Sequence, residues 1–233
     1  MNRVIKLFLF SLLFLIAAGQ TAIADIIGTP SAAGYAWADS QDVEFGWIEI
    51  SDGTVIGDVG DDNEVYTVNL PFTFEFYSQP FTTMYVSTNG FITFNDYGGN
   101  SFPSNDALPP NQAPDSLIAI FWDNLVLNGT ENGQIYSKTI GTAPYRKHII
   151  EWSNAQLNSS SGTLTFQIIL YETTNLIKLQ YLDLGSLLND EIGRNATEGI
   201  RFENDVVEYG TNDPILSEGL AVLFFPLSNL SGT

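Results

Sequence analysis

The chain contains no cysteine, one histidine, and only eight lysines and arginines against 27 aspartates and glutamates. Each shortage removes a class of function. Without thiols there is no disulfide framework, no cysteine ligand for zinc, and no residue to carry a bacterial-type lipid anchor. His148 alone cannot supply the several imidazoles that a zinc site recruits, and no G-x-S-x-G turn offers it a serine to activate. A partly buried strand histidine is the reading left. The formal charge of −19 repels phosphate backbones and excludes nucleic acid as a partner.

Long apolar runs are equally scarce. One spans residues 7–18, interrupted only by Ser11, and no second one follows. Arg3 and Lys6 precede it, and the small residues of Ala22-Ile23-Ala24 follow it. That order is the plan of a secretory signal peptide, with a core too short for a comfortable membrane span. The expected division is therefore a signal peptide over 1–24 and one extracellular domain over 25–233, with no transmembrane segment in the mature chain. Its location is secreted, extracellular or at the cell surface, with a bacterial periplasm also open. A mature domain of that length buries enough apolar surface to fold without disulfides, and an aromatic content of 13% supplies much of it.

What is abundant is alternation. Leu164, Phe166, Ile168 and Leu170 interleave with Thr165, Gln167, Ile169 and Tyr171; Phe72, Phe74 and Phe76 interleave with Thr73, Glu75 and Tyr77. His148, Ile150 and Trp152 interleave with Lys147, Ile149 and Glu151. A period of two puts each set on one face of a strand. Further strands are expected near 45–50, 65–70, 82–88, 91–95, 117–122, 134–139, 176–182, 197–203, 206–209 and 219–225. Asp52-Gly53, Asn89-Gly90, Asn132-Gly133 and Ser161-Gly162 punctuate them as turns, with Asn89 and Gly90 expected at positive φ. The segment 97–114, with Gly98, Gly99 and four prolines, is the one long loop; a turn or two of helix over 184–192 is the most that helical pattern allows. Many short strands at this spacing specify an all-β fold: a two-sheet antiparallel β-sandwich, jelly-roll-like, in a single domain.

The order of the motifs carries a resemblance. Gly34-Tyr35-Ala36-Trp37 and Trp47-Ile48-Glu49-Ile50-Ser51 come first, then Leu70-Pro71-Phe72-Thr73-Phe74 and Val86-Ser87-Thr88-Asn89-Gly90-Phe91. Ile118-Ala119-Ile120-Phe121-Trp122-Asp123-Asn124, Ile149-Ile150-Glu151-Trp152 and Phe166-Gln167-Ile168 follow. The series resembles an extracellular β-domain of secreted bacterial proteins, often appended to proteases or present in surface proteins. Its central part is similar to the nidogen-like extracellular domain of animal matrix proteins. The resemblance implies a non-catalytic, adhesion-type module whose partner is an extracellular protein or a glycan. Alternatives are a structural matrix or polymerising surface protein and a glycoside hydrolase.

Candidate sites are few. Asp58, Asp61, Asp62 and Asn63 cluster on one acidic turn, and Asp123 ends a strand. Calcium takes roughly six to eight hard oxygen ligands, which such a set can supply, although the spacing is not that of an EF-hand. Calcium is the one cofactor this chemistry admits. Glu151 and Glu172 are the carboxylates a hydrolase would use, though both read as outward polar positions on strands. Trp37, Trp47, Trp122 and Trp152 could stack on sugars where exposed. Trp152 reads as core, Trp37 as the more exposed, and the 97–114 loop as the first candidate for partner contacts. Intact-mass measurement of the exported protein should give a chain beginning at Asp25; retention of residues 1–24 would refute the cleavage site.

Overall fold

The computed structural model describes residues 34–108, 114–127, 132–159, 162–186 and 190–229. The expected signal peptide, the Ser161 half of one turn, and parts of the 97–114 and 184–192 segments lie outside them. Fourteen strands occupy the described residues, in chain order β1 (Tyr35–Ala38), β2 (Thr54–Gly57), β3 (Val65–Phe76), β4 (Gln79–Ser87), β5 (Phe91–Thr93), β6 (Leu117–Trp122), β7 (Leu125–Val126), β8 (Gln134–Ile140), β9 (Lys147–Leu157), β10 (Thr163–Tyr171), β11 (Ile177–Leu184), β12 (Thr197–Phe202), β13 (Asp205–Thr211) and β14 (Ala221–Pro226). Among these residues the one helical element is a single 3-10 turn, Leu227–Asn229.

The strands form two antiparallel sheets, as the alternation requires. An eight-stranded sheet runs β1-β14-β11-β10-β9-β8-β2, with β7 paired to β9; a six-stranded sheet runs β13-β12-β6-β5-β4-β3. The core lies between them. Phe74, Phe76, Met84, Val86, Ile118 and Ile120 from the smaller sheet meet Ile150, Trp152, Phe166 and Ile168 from the larger. Phe121 stacks on Phe166 with ring centroids 5.7 Å apart. Each such ring contributes about 1.5–3 kcal/mol on full burial.

Strand β3 shows how pattern and exception combine. Its residues alternate buried and exposed from Thr67 to Phe76. Pro71 falls inside it, where the pairing with β4 slips between Asn69 and Phe74. The strand is the edge of its sheet, so the missing N–H and the slip cost no inner ladder.

Both sheets are also covered on their outer faces. Residues 97–108 lie over the smaller sheet, where Phe91, Leu108, Leu117, Ala119 and Trp122 form a second apolar layer. The Trp122 indole donates to the Phe102 carbonyl at 2.8 Å, and Asn105 Nδ2 donates to Thr197 Oγ1 at 3.1 Å. The loop expected to reach for partners is, over these residues, pinned to the sheet. On the larger sheet, Ile50 packs with Ile149 and Ile169. The segment 45–50 is not the strand that its alternation suggested. Side-chain amides hold it instead of a ladder: Gly46 N–H donates to Gln180 Oε1 at 2.7 Å, and Gln180 Nε2 donates back to the Gly46 carbonyl at 3.0 Å.

The Ser87-Thr88-Asn89-Gly90 turn joins these layers. Gly90 has φ 75°, but Asn89 is not among the residues at positive φ, so the expected Asn-Gly pair holds for the glycine alone. A Cβ on Gly90 would stand 1.9 Å from the Phe121 carbonyl oxygen, which makes glycine obligatory there. Asn89 is fully buried; its amide donates to Asn63 Oδ1 and the Ser101 carbonyl, both at 3.1 Å, and accepts from Leu125 N–H at 2.9 Å. Substituting Asn89→Ala leaves the Leu125 N–H unpaired, at about 1–3 kcal/mol, and leaves the Ser101 carbonyl with the Ser87 hydroxyl alone. Urea unfolding of that variant should show a loss of about 2 kcal/mol or more, and Gly90→Ala should yield no folded protein. The exposed-face change Thr73→Ala should cost under about 0.5 kcal/mol; equal losses in Asn89→Ala and Thr73→Ala would contradict the assignment.

Candidate functional site

Most of the expected ligands of a cation are hydrogen-bonded to groups of the protein itself. Asp58 Oδ1 accepts from Val59 N–H at 2.7 Å and from Gln134 Nε2 at 2.9 Å. Asp61 Oδ2 accepts from Asp58 N–H at 2.8 Å and from the Tyr66 hydroxyl at 2.5 Å. Asn63 Oδ1 accepts from Asn89, and Asp62 bridges to Val126 through its backbone. Asp123 stands after β6, its Oδ1 accepting from Asn124 N–H at 2.7 Å. Burial pushes its carboxyl up to about 6, and the charge of Asp190 adds to the rise. Among the described residues no group of three or more His, Cys, Asp or Glu side chains is placed to hold a metal ion.

The other candidates are separated by the same geometry. His148 is buried, with Nδ1 2.8 Å from Thr139 Oγ1 and Nε2 3.3 Å from Ser137 Oγ; burial lowers it to about 4. Glu172 is clamped by Arg146, whose Nη2 and Nε lie 2.6 and 2.8 Å from the two carboxylate oxygens, and is held down near 2 by that bond. Tyr171 pairs with Lys147, four residues from Glu151 along β9. Glu172 lies one residue further on, beside Arg146, so at about 3.3 Å per residue the two glutamates stand roughly 16 Å apart along the strands, beyond the span of a glycosidase pair. Trp122 and Trp152 are core, and Trp37 packs edge-on against Tyr209 with centroids 4.9 Å apart.

Trp47 and Glu151 remain, and they meet. Strand β9 directs Ile150 and Trp152 into the core, so Glu151 faces the outer side of the larger sheet. That side is roofed by the 45–50 segment, and Glu151 is 3% exposed, not the solvated position its alternation implied. It lines an open depression of roughly 500 Å3, with Trp47 and Glu49 from the covering segment, Thr165 from β10, and Leu182 and Asp183 from β11. Glu218 completes the rim. Glu151 Oε2 is buried and has no hydrogen-bond partner; the residue opposite it on β10, Gln167, has an equally unpartnered Oε1. Burial pushes the Glu151 carboxyl up to about 8, and Glu49 adds to the rise. One further acid, Glu198 on β12, is wholly enclosed, with neither oxygen partnered and its pKa raised by burial and by Glu208, Asp123 and Asp213. With no exposed surface it offers nothing to a ligand.

Sequence reasoning named Trp47 and Glu151 singly but missed Glu49, Asp183 and Glu218. No local signal could have found them, because the depression depends on a non-strand segment crossing three strands.

The comparisons with known proteins give one result. A family model described as NIDO related matches residues 34–221, most of the chain. No curated protein and no solved structure matches it.

A carboxyl raised in the folded state favours folding while it is protonated, and that contribution is lost as pH rises from the unfolded value near 4.5 towards 8. Thermal melts should therefore show Glu151→Gln more stable than the parent at pH 8.5 and indistinguishable at pH 4. A destabilised variant at pH 8.5 would refute the buried-acid description.

Proposed function

The chain belongs to the NIDO-related family, and on that premise we propose that it is a secreted, non-catalytic binding module that engages an extracellular protein or glycan through the depression under Trp47. The observation that carries this reading is a buried carboxyl without a partner at the floor of an open, aromatic-walled surface site. Isolated folding offers no compensation for that arrangement, whereas a bound polar group does. Trp47 supplies an amphipathic ring that is only partly buried, suited to stacking on a sugar or an apolar side chain. The Glu172–Arg146 clamp removes one of the two carboxylates first considered for hydrolysis. Among the described residues no helix is long and apolar enough to cross a membrane.

A hydrolytic reading keeps one supporting observation. A protonated Glu151 beside Glu49 has the polarity of an acid–carboxylate pair. It predicts glycan cleavage that Glu151→Gln abolishes, whereas the binding reading predicts intact glycans.

The deciding experiment is an array of glycans and extracellular proteins probed with the mature chain, Trp47→Ala and Asn158→Ala, each with and without calcium. Binding lost in Trp47→Ala and kept in Asn158→Ala supports the depression. In a calcium-dependent form of the reading, Asp58, Asp61, Asp62, Asn63 and Asp123 supply the oxygen ligands, and chelation abolishes the signal. Concentration-dependent oligomers with no array ligand, seen by sedimentation, would replace the reading with a structural, matrix-forming one.

A further inference from the structure

We propose that the depression on the outer face of the eight-stranded sheet binds a primary ammonium group, with the Glu151 carboxylate as its buried counter-ion and Trp47 as the wall for its carbon skeleton. The inference rests on the depression being the binding surface and adds the chemistry of its occupant. Three observations converge on it.

The first is the imbalance of acceptors. Glu151 Oε2 and Gln167 Oε1 sit on cross-strand partners, both buried, both without a donor. Of the two residues only Glu151 lines the depression; an ammonium group carries three N–H donors and no acceptor, so it can serve Glu151 and still reach a rim hydroxyl or carboxylate. A hydroxyl or a carbonyl could not do so while also carrying charge. The second is the charge of the walls. Glu49, Asp183 and Glu218 join Glu151 around the opening, and no lysine or arginine among the described residues lines it. Metal-like convergence of three carboxylates is absent among the described residues, whereas a directional N–H donor needs only one close carboxylate.

The third is that the same sheet face already sets ammonium groups against an aromatic ring or an oxygen acceptor. Lys147 places Nζ over the Tyr171 ring, 5.1 Å from its centroid. Lys178 donates to the Glu44 carbonyl at 2.6 Å, one residue before the covering segment. Those lysines stand in neighbouring rows of the same face, Lys147 beside Tyr171 and Lys178 beside Ile169; the depression at Glu151 has acceptors and an aromatic ring but, among the described residues, no lysine or arginine in its lining. Trp47, with Phe45 stacked against it at 6.5 Å, offers the same cation–π surface that Tyr171 gives Lys147.

The occupant is thus a primary amine on a small carbon skeleton, of which diamines and amino sugars are two sources. Isothermal titration at pH 7 with putrescine, glucosamine, N-acetylglucosamine and glucose separates them. Binding of putrescine or glucosamine, with the acetylated and neutral sugars at least roughly tenfold weaker, supports the proposal; the tighter of the two amines names the source. Titration in buffers of different ionisation heat should show about one proton released, as the acid form of Glu151 gives way to the carboxylate. Glu151→Gln should weaken amine binding roughly tenfold or more and abolish that release while its melting temperature stays at or above the parent's. Glu49→Gln should weaken binding less and keep the release. No amine binding by the parent chain, or equal binding of glucosamine and N-acetylglucosamine, would overturn the inference. Array partners lost in Trp47→Ala but indifferent to amines would overturn it too, while leaving the broader binding role intact.

Discussion

Asn89 has no accessible surface, yet its amide bonds to segments that the chain order keeps far apart. It reaches the acidic turn at Asn63, the covering loop at Ser101 and the start of β7 at Leu125. The same turn presents the Ser87 carbonyl to the Trp152 indole across the core and lets β6 approach Gly90 without a side chain between. A buried polar group of this kind is tolerable only when every valence is met, and once met it admits one arrangement of the parts. The inter-sheet spacing, the covering loop of the smaller sheet and the start of β7 are all set from this point.

From that frame the second sheet takes its unusual feature, a roof held by amides. Gln167 and Gln180 are fully buried on neighbouring strands and reach out of the sheet to the backbone of 46–48. They hold an irregular segment over β9 and β10, and the roof ends beside Glu151. The depression is the unfilled remainder of that roof. Burying Glu151 and Glu198 without partners works against stability above the ordinary glutamate range. For Glu198 the structure gives no compensating contact, and we have no functional account of it. For Glu151 the open depression gives one, because a ligand can supply the missing donor.

Much of the architecture was legible because period-two burial is a local property. The alternation in 72–76, 147–152 and 164–170 named β3, β9 and β10 and their inward faces correctly. Where it misled, a second layer was the reason. The Trp47-Ile48-Glu49-Ile50 run alternates like a strand but lies across a sheet, and Glu151 alternates like a solvated residue but is roofed. The continuous burial of Leu117–Trp122 is the trace such layering leaves in a sequence, since only a strand covered on both faces is apolar throughout. The short strands β1, β2 and β7 escaped notice because two to four residues carry no period. The site was less legible than the fold. Its residues come from a loop, three strands and a turn, and their meeting depends on long-range register that no local pattern encodes.

The central claim is that a carboxyl is held in the roofed face of the larger sheet with no protein partner, ready for a donor from outside. The most direct test is a carbon-13 NMR titration of the Glu151 side-chain carboxyl in the ligand-free protein. The account predicts a midpoint near 8, well above an ordinary glutamate. A midpoint near 4.5 would mean that the carboxyl is solvated or already partnered, and would contradict it.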